Sequence, residues 1–355
     1  MVLPRYIFRE FIGNWLAVAL VLSGLVFANQ LTRMLERAAE ANLPSDVVLA
    51  VTALSFGANA EITVPLSLLL AIVLTYGRLG HDGEMTAIRA HGVSVWRSAR
   101  GIVIFAVCVS LLLAGLTLAL EPALARAQQA RLDAAYQRAQ LSAFDPGRFT
   151  QLPGTPIVIH VAGSAADGGL RGLVYLQRSD RALEVIVAER ARYASDAAGA
   201  SLTLTMEDGM RVLGEPGSAI VQQLRFERLR VQLPLPRVER RRDARDTLPT
   251  RDLIAAVHPL DRAELQWRWS MPLMCLMLSL AAIPLAQLRP RQGRYARVAP
   301  ALLLFFLYIN LLAAARGAVG RGTLAAVPGL ALVHVGVALL LALAWWPPWQ
   351  RWRRR

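Results

Sequence analysis

The segment of this sequence with the most chemical potential is residues 78–92, Arg78-Leu79-Gly80-His81-Asp82-Gly83-Glu84-Met85-Thr86-Ala87-Ile88-Arg89-Ala90-His91-Gly92. Gly83 and Gly92 bracket a short stretch whose spacing puts Met85 and Ile88 on one helical face. Glu84 falls in its first turn, where a carboxylate meets the positive end of the helix dipole. Arg89 adds a cation one turn on. A segment of this kind, predicted over about 82–92, lies flat beneath a membrane as an interfacial helix or docks on another protein. Spacing alone leaves both open. Two more charged residues stand against apolar runs. Glu61 lies inside the run 47–77, where a carboxylate is expensive to bury in lipid and must face a cavity or a partner. Arg33 follows the run 11–31, where it meets anionic headgroups or simply snorkels to the interface.

Catalytic chemistry finds little support. No HExxH, paired CxxC or GxGxxG after a strand is present, and no Ser, His and Asp fall at triad spacing. The five His are scattered: His81 and His91 in the loop just described, His160 in a β-run, His258 in a linker and His334 in an apolar run. All 39 basic residues are Arg. Without Lys there is no P-loop lysine and no Schiff base. If ATP drives this protein, another chain binds it. Cys108 and Cys275 both sit in apolar runs and read as small hydrophobes. No catalytic, metal or cofactor site is expected.

Long apolar segments must position these residues. The chain has 355 residues, of which 55% are hydrophobic and 18% charged, whereas soluble domains carry nearer ~25% charge. Six runs are long enough to cross a bilayer: 11–31, 47–77, 101–120, 270–288, 298–315 and 328–346. Straight helix over 47–77 would reach roughly 46 Å, so Pro65 is the expected kink. Glu121-Pro122 should close the third run. The first run exceeds a signal-peptide core and no convincing cleavage site follows. Asp261 and Glu264 have capping-box spacing and should start a helix leading through Trp267 and Trp269 into the fourth run. Trp345, Trp346 and Trp349 suggest an interfacial belt.

Between the third and fourth runs the period changes. Residues 123–142 read as polar helix. Then come short β-runs at 156–161, 173–177, 183–187, 201–206, 210–213 and 220–233, with Asp208-Gly209 as a turn signal. Short strands and Gly-rich turns predict a sandwich or jelly-roll, followed by an Arg-rich solvated linker at 237–245. The expected domains are 1–122 with three membrane helices, 123–245 with the helical connector, jelly-roll and linker, and 246–355 with the last three helices.

Charge orients the layout. The net charge is +14, but residues 121–268 carry 21 Arg against 18 acids. The excess therefore flanks apolar runs instead of coating the soluble insert, which argues against a nucleic-acid binder. With the N-terminus inside, the cytoplasmic segments hold Arg5, Arg9, Arg78, Arg89, Arg97, Arg100, Arg289, Arg291, Arg294, Arg297, Arg351, Arg353, Arg354 and Arg355. The short outer loops hold Arg33, Arg37, Arg316 and Arg321. The positive-inside rule then places both termini in the cytoplasm and the β-domain outside.

Several local stretches carry a family likeness: Arg5-Tyr6 and Arg9-Glu10, Pro65-Leu66-Ser67-Leu68, and Glu84 through Gly92. Arg262-Ala263-Glu264-Leu265 with Trp267-Arg268, and Pro290-Arg291-Gln292-Gly293-Arg294, are the more specific. On these the chain resembles the lipopolysaccharide export permease family (LptF/LptG, or YjgP/YjgQ-like), its F-type more closely than its G-type, over nearly its whole length. The resemblance implies an α-helical integral membrane protein of the inner membrane, with six transmembrane helices and an inserted all-β periplasmic jelly-roll. It implies an LptG-type paralogous subunit, a dimeric cytoplasmic LptB-type ATPase and an LptC-type membrane-anchored jelly-roll protein as partners, and lipopolysaccharide as substrate. It assigns the ATPase contact to the short helix, with Glu84 at the contact and Met85, Ile88 and Arg89 beside it. It gives Arg33 the lipid A phosphates, and Glu61 joins it as the second substrate-facing candidate. Three rival readings differ in layout or chemistry. A lipoprotein-releasing ABC permease has four spans with a domain after the first, a lipid-modifying membrane enzyme needs convergent His, Asp or Glu, and a pure scaffold would transport nothing.

Overall fold

Long apolar runs become long helices. The computed structural model describes residues 2–41, 45–141, 144–152, 155–164, 169–179, 182–195, 201–215, 221–234, 244–287 and 292–345. Helix α1 spans Val2–Ala41, α2 Ser45–Ala58, α3 Ala60–His81, α4 Glu84–Ala90 and α5 Val95–Gly115. A π-helical turn at Leu116–Leu120 joins α5 to α6, Glu121–Leu141. After the sheet come α7 (Thr250–Ala255), α8 (Pro259–Leu285), α9 (Val298–Gly320) and α10 (Ala331–Trp345). Five helical stretches are long and apolar enough to cross a membrane: Leu3–Glu36, Ala60–His81, Val95–Ala135, Pro259–Leu285 and Val298–Gly320. The sixth expected run appears as α10. Its 15 residues reach about 22 Å, short of the ~30 Å hydrocarbon core. Residues 289–291, 346, 349 and 351–355, which carry expected loop arginines and interface tryptophans, lie outside the described residues, as do 237–243 of the linker.

Two of three expected boundaries move. The second run breaks at Asn59, not Pro65. The Asn59 side chain donates to the Ser55 carbonyl at 2.8 Å, and the Asn59 carbonyl accepts from the Thr63 hydroxyl at 3.0 Å. Pro65 sits inside α3, leaving only the Glu61 carbonyl without its helical donor. The third run's apolar part ends at Glu121-Pro122 as expected, and the helix itself continues through the π turn into the polar α6. Asp261 and Glu264 do not cap α8. Pro259 takes the first helical position, and the His258 ring Nδ1 accepts from the Leu260 N–H at 3.3 Å, so both acids are freed for other partners.

The chain divides into two compact units, residues 1–30, 52–127 and 244–355, and residues 31–51 and 128–243. In the first, α8 is central and packs on α3, α5, α9 and α10. Its core includes Leu68, Ile72, Tyr76, Met271, Cys275, Leu278, Phe305 and Tyr308. Of the most apolar stretch of each helix, 67% of residues are buried in α3 and 61% in α8, but only 6% in α1.

In the second unit, β1 (Phe149–Gln151), β2 (Ile157–Ser164), β3 (Leu170–Arg178), β4 (Leu183–Ser195), β5 (Ser201–Gly214) and β6 (Val221–Pro234) form one antiparallel sheet in sequence order. A jelly-roll needs Greek-key crossovers, and the described strands make a meander. Ile157, Ile159, Val161, Leu173, Ile186, Leu204 and Met206 are nevertheless buried in a single cluster with Phe144 and Leu152. Phe226, Leu229 and Val231 of β6, partly buried, pack against the same cluster. Tyr175 on this face donates to Gln177 Oε1 at 2.6 Å, and burial pushes its hydroxyl pKa up to about 12, keeping it neutral.

Asp208-Gly209 is not a turn. Strand β5 runs through it with the same register on both sides. Pairing lapses along one row, Ala162, Gly172, Glu189, Asp208 and Glu227, across five strands. Gly172 (φ 59°) and Asp208 (φ 53°) adopt left-handed backbone there. The alternation slips by one, so Leu170 and Leu173 are both buried. The outward side is charged, with Arg190 paired to Asp208 at 3.1 Å and Arg228 to Glu207 at 3.4 Å. At Gly209 a Cβ would lie 2.5 Å from both the Val187 carbonyl and Phe226 Cζ, so only glycine fits.

Candidate functional site

Helix α4 is a seven-residue element set between Gly83 (φ 76°) and Gly92 (φ 75°), both in the left-handed region that glycine adopts without strain. Met85 and Ile88 face inward, as their spacing predicts, and join the core of the first unit at 6% and 8% exposure. They fasten α4 to its own bundle. Thr86, Ala87 and Arg89 are exposed on its other side.

Glu84 stands at the edge of these two faces and is held by residues far away in sequence. The Tyr6 hydroxyl donates to Glu84 Oε1 at 3.2 Å, and Arg78 Nη2 donates to the Tyr6 oxygen at 2.9 Å. Arg78 also pairs with Glu10 at 2.7 Å, Asp82 at 3.4 Å and Glu84 at 3.5 Å. One guanidinium therefore serves three carboxylates and a phenol from α1, the end of α3 and the start of α4. The arrangement leaves this network net negative, suited to a cationic partner.

A second arginine hub lies at the other end of α3. Arg268, at 2% exposure, donates to Glu264 at 3.0 Å, to the carbonyls of Leu248 (2.9 Å), Arg245 (2.9 Å) and Asp246 (3.2 Å), and to Thr250 Oγ1 at 3.0 Å. Glu264 also accepts from Arg316 at 2.5 Å, whose guanidinium stacks 4.8 Å from the Trp267 ring. The π turn frees backbone oxygens here, and Leu118 O accepts from Thr250 at 2.5 Å. Arg245, expected in a solvated linker, pairs with Asp261 at 2.6 Å.

Glu61 belongs to this second hub. It takes a hydrogen bond from the Trp267 side chain, and its Oε2 is buried without a hydrogen-bond partner among the described residues. Arg33 is exposed on α1 and belongs to the second unit. Among the described residues no group of three or more His, Cys, Asp or Glu could hold a metal ion.

The profile of the family described as lipopolysaccharide export system permease LptF/LptG matches residues 5–348, the β-insert included. The chain belongs to the LptF/LptG family. It is 26% identical over 330 residues to the lipopolysaccharide export system permease protein LptF of Escherichia coli K12, covering 91% of this chain and 89% of that one. The LptF proteins of Escherichia coli O157:H7 and Shigella flexneri match equally. The chain is thus an LptF-like permease with several membrane-spanning helices, a multi-pass protein of the inner membrane.

Against that background, the family-like stretches at Arg5-Tyr6, Arg9-Glu10 and Glu264 to Arg268 acquire structural roles. Tyr6, Glu10 and Arg78 were not read from the sequence as site residues. Their separations from one another and from Glu84 reach 72 and 78 positions, and no periodicity links such distant residues. The available signal was the unexplained Tyr and Glu among the first ten residues of a membrane protein.

Proposed function

We propose that this chain is the LptF-type subunit of an ATP-driven exporter that extracts lipopolysaccharide from the inner membrane and passes it to a periplasmic bridge. The full-length family match, insert included, carries the reading. In it α10 belongs to a sixth span. Both termini are cytoplasmic, and the six-stranded sheet belongs to the periplasmic domain between residues 123 and 245. An LptG-type paralogue completes the cavity, an LptB-type ATPase dimer hydrolyses ATP and an LptC-type protein continues the path outward.

Glu84 and the exposed face of α4 with Arg89 meet the ATPase. Met85 and Ile88 pass the load into the bundle. At the outer end of α1, Arg33 offers a charge-assisted contact to a lipid A phosphate, and Glu61 accepts a sugar hydroxyl or amide. The apolar face of the sheet then shields acyl chains from water during handover.

Purification of the tagged complex in mild detergent tests the reading in one experiment. The wild-type chain should bring down an ATPase, a paralogous permease and lipopolysaccharide. Glu84→Ala should lose at least tenfold of the ATPase while keeping the paralogue, and Arg33→Ala should lose lipopolysaccharide while keeping both proteins. A wild-type preparation with neither ATPase nor lipopolysaccharide ends the proposal.

A further inference from the structure

We infer that Tyr6 and Arg78 are positioning residues that lock the first turns of α1 to the start of α4, so that α1 is the helix that moves when α4 is pushed. The inference rests on the proposed role of α4 as the ATPase contact and names the linkage behind it.

The geometry supplies three reasons. First, α4 reaches α1 directly. The Tyr6 hydroxyl bridges Arg78 Nη2 (2.9 Å) and Glu84 Oε1 (3.2 Å), and Glu10, one turn along α1, holds Arg78 at 2.7 Å. Two successive turns of α1 are therefore tied to the residues flanking Gly83. Second, the helices that could take up a displacement of α4 differ in how firmly they are packed. Helix α3 leads straight into α4, but 67% of its apolar stretch is buried, against 6% for α1. Close-packed helices shift only as units, whereas a sparsely packed one yields. Third, within the first unit α1 is buried only along its first four turns; farther on, Met34 and Ala38 pack with Val48, Val51 and Ala135 in the second unit. Ile7 and Phe11 are fully buried. Phe8, Phe11 and Trp15 surround Phe105 of α5 with ring centroids 5.0 to 5.8 Å away. Asn14 donates to Thr75 at 2.9 Å and Trp15 to Ser67 at 3.1 Å. From there on Leu16, Leu20, Val21 and Leu25 are all exposed by more than half. The aromatic cluster around Phe105 is thus the pivot, and the network at Tyr6 lies on its α4 side. The same helix carries Arg33.

Hydroxyl and carboxylate geometry suits a link that must re-form. Its members are partly solvated, with Arg78 and Glu84 side chains exposed by 29% and 34%, so water can stand in for a broken partner while α4 rearranges.

The test uses the complex reconstituted with its ATPase and paralogous permease, in a background carrying Cys108→Ala and Cys275→Ala. Spin labels at Leu20→Cys on α1 and Leu311→Cys on α9, both exposed, report their separation with and without trapped nucleotide. The wild-type Tyr6 complex should show a nucleotide-dependent shift. Tyr6→Phe, which removes only the hydroxyl, should cut that shift by more than half while the ATPase stays bound, and Glu10→Gln should do the same from the other anchor. A full shift in both variants overturns the inference and leaves the proposed function standing. Loss of the ATPase from Tyr6→Phe assigns Tyr6 to assembly and overturns it too. No shift in the wild-type complex removes the proposed drive of α4 itself.

Discussion

The two arginine hubs at the ends of α3 use the same side chain for opposite purposes. Arg78 and Glu61 lie on one helix about 25 Å apart by its rise, near the thickness of a hydrocarbon core. At the Glu61 end, Arg268 is buried at 2% and spends most of its donors on backbone carbonyls of the segment 245–248. Carbonyls cannot rotate away, and Glu264 is shared with Arg316 of a neighbouring helix. That hub is a fixed joint between the return segment from the β-domain, α8 and α9. At the other end Arg78 stays partly solvated, and all its partners are side-chain oxygens that swing on their own torsions. The difference teaches where this bundle keeps its shape and where it gives. A buried guanidinium with every donor occupied is costly to disturb, while an exposed network exchanges partners with water at little cost.

The largest expected effect tests the fixed joint. Arg268→Ala leaves Glu264 Oε1, three carbonyls and a hydroxyl without this donor in a buried site, although Arg316 still holds Glu264 Oε2, and breaking a buried pair this way costs about 3–5 kcal/mol. The variant should lose most of its yield as a monodisperse peak in fluorescence-detected size exclusion. Arg268→Lys should recover only part of it, since an ammonium cannot fan five hydrogen bonds over these partners. A variant with wild-type yield and melting temperature would show that the joint is ornamental, and the contrast between the hubs would collapse.

Neither hub was fully legible in the sequence, and the reason is physical. Periodicity found the helices, because burying apolar residues in lipid or core imposes a local pattern, and it found the inward pair Met85 and Ile88. It misplaced the break in the second run, because Pro65 is the obvious helix breaker and the side-chain hydrogen bond of Asn59 leaves no compositional trace. It read Asp261 and Glu264 as a cap because their spacing allowed it, while their partners Arg245, Arg268 and Arg316 are set by tertiary packing. The sheet is legible in its strands, but Asp208-Gly209 carries the composition of a turn. The row of lapsed pairing that explains it crosses five strands, and no single strand's sequence announces a row. Hydrogen bonds between residues tens of positions apart are, by nature, outside what spacing can show.

The exposed hub should behave in the opposite way to the buried one. Arg78→Gln should lower stability by about 1 kcal/mol or less, the usual range for partly solvated ion pairs, yet abolish most lipopolysaccharide release. Salt offers a second handle. Raising ionic strength to ~1 M shortens the screening length to about 3 Å, so coupled transport should weaken with salt while the melting temperature of the complex hardly moves. A melting temperature that drops steeply with Arg78→Gln would mean the hub carries fold, not motion.

The smallest effect concerns how tightly α1 is held to α3 at the edge of its pivot. Trp15 donates its indole N–H to Ser67 Oγ at 3.1 Å, and the same hydroxyl donates to the Val64 carbonyl at 2.8 Å, so the contact is shared with α3's own backbone. Interhelical hydrogen bonds of this kind average about 0.6 kcal/mol in membrane bundles. A double-mutant cycle with Trp15→Phe and Ser67→Ala, read by thermal unfolding of the purified complex, should return a coupling of about that size. The number matters more than its modesty suggests. If α1 is the element that yields, its polar contacts to α3 must be weak enough to break once per transport cycle. A coupling above ~2 kcal/mol would fasten α1 to α3 and move the compliant element elsewhere in the bundle. A value near the membrane average leaves the aromatic pivot as the firm hold on α1 within the first unit, which is what a helix driven from its first two turns requires.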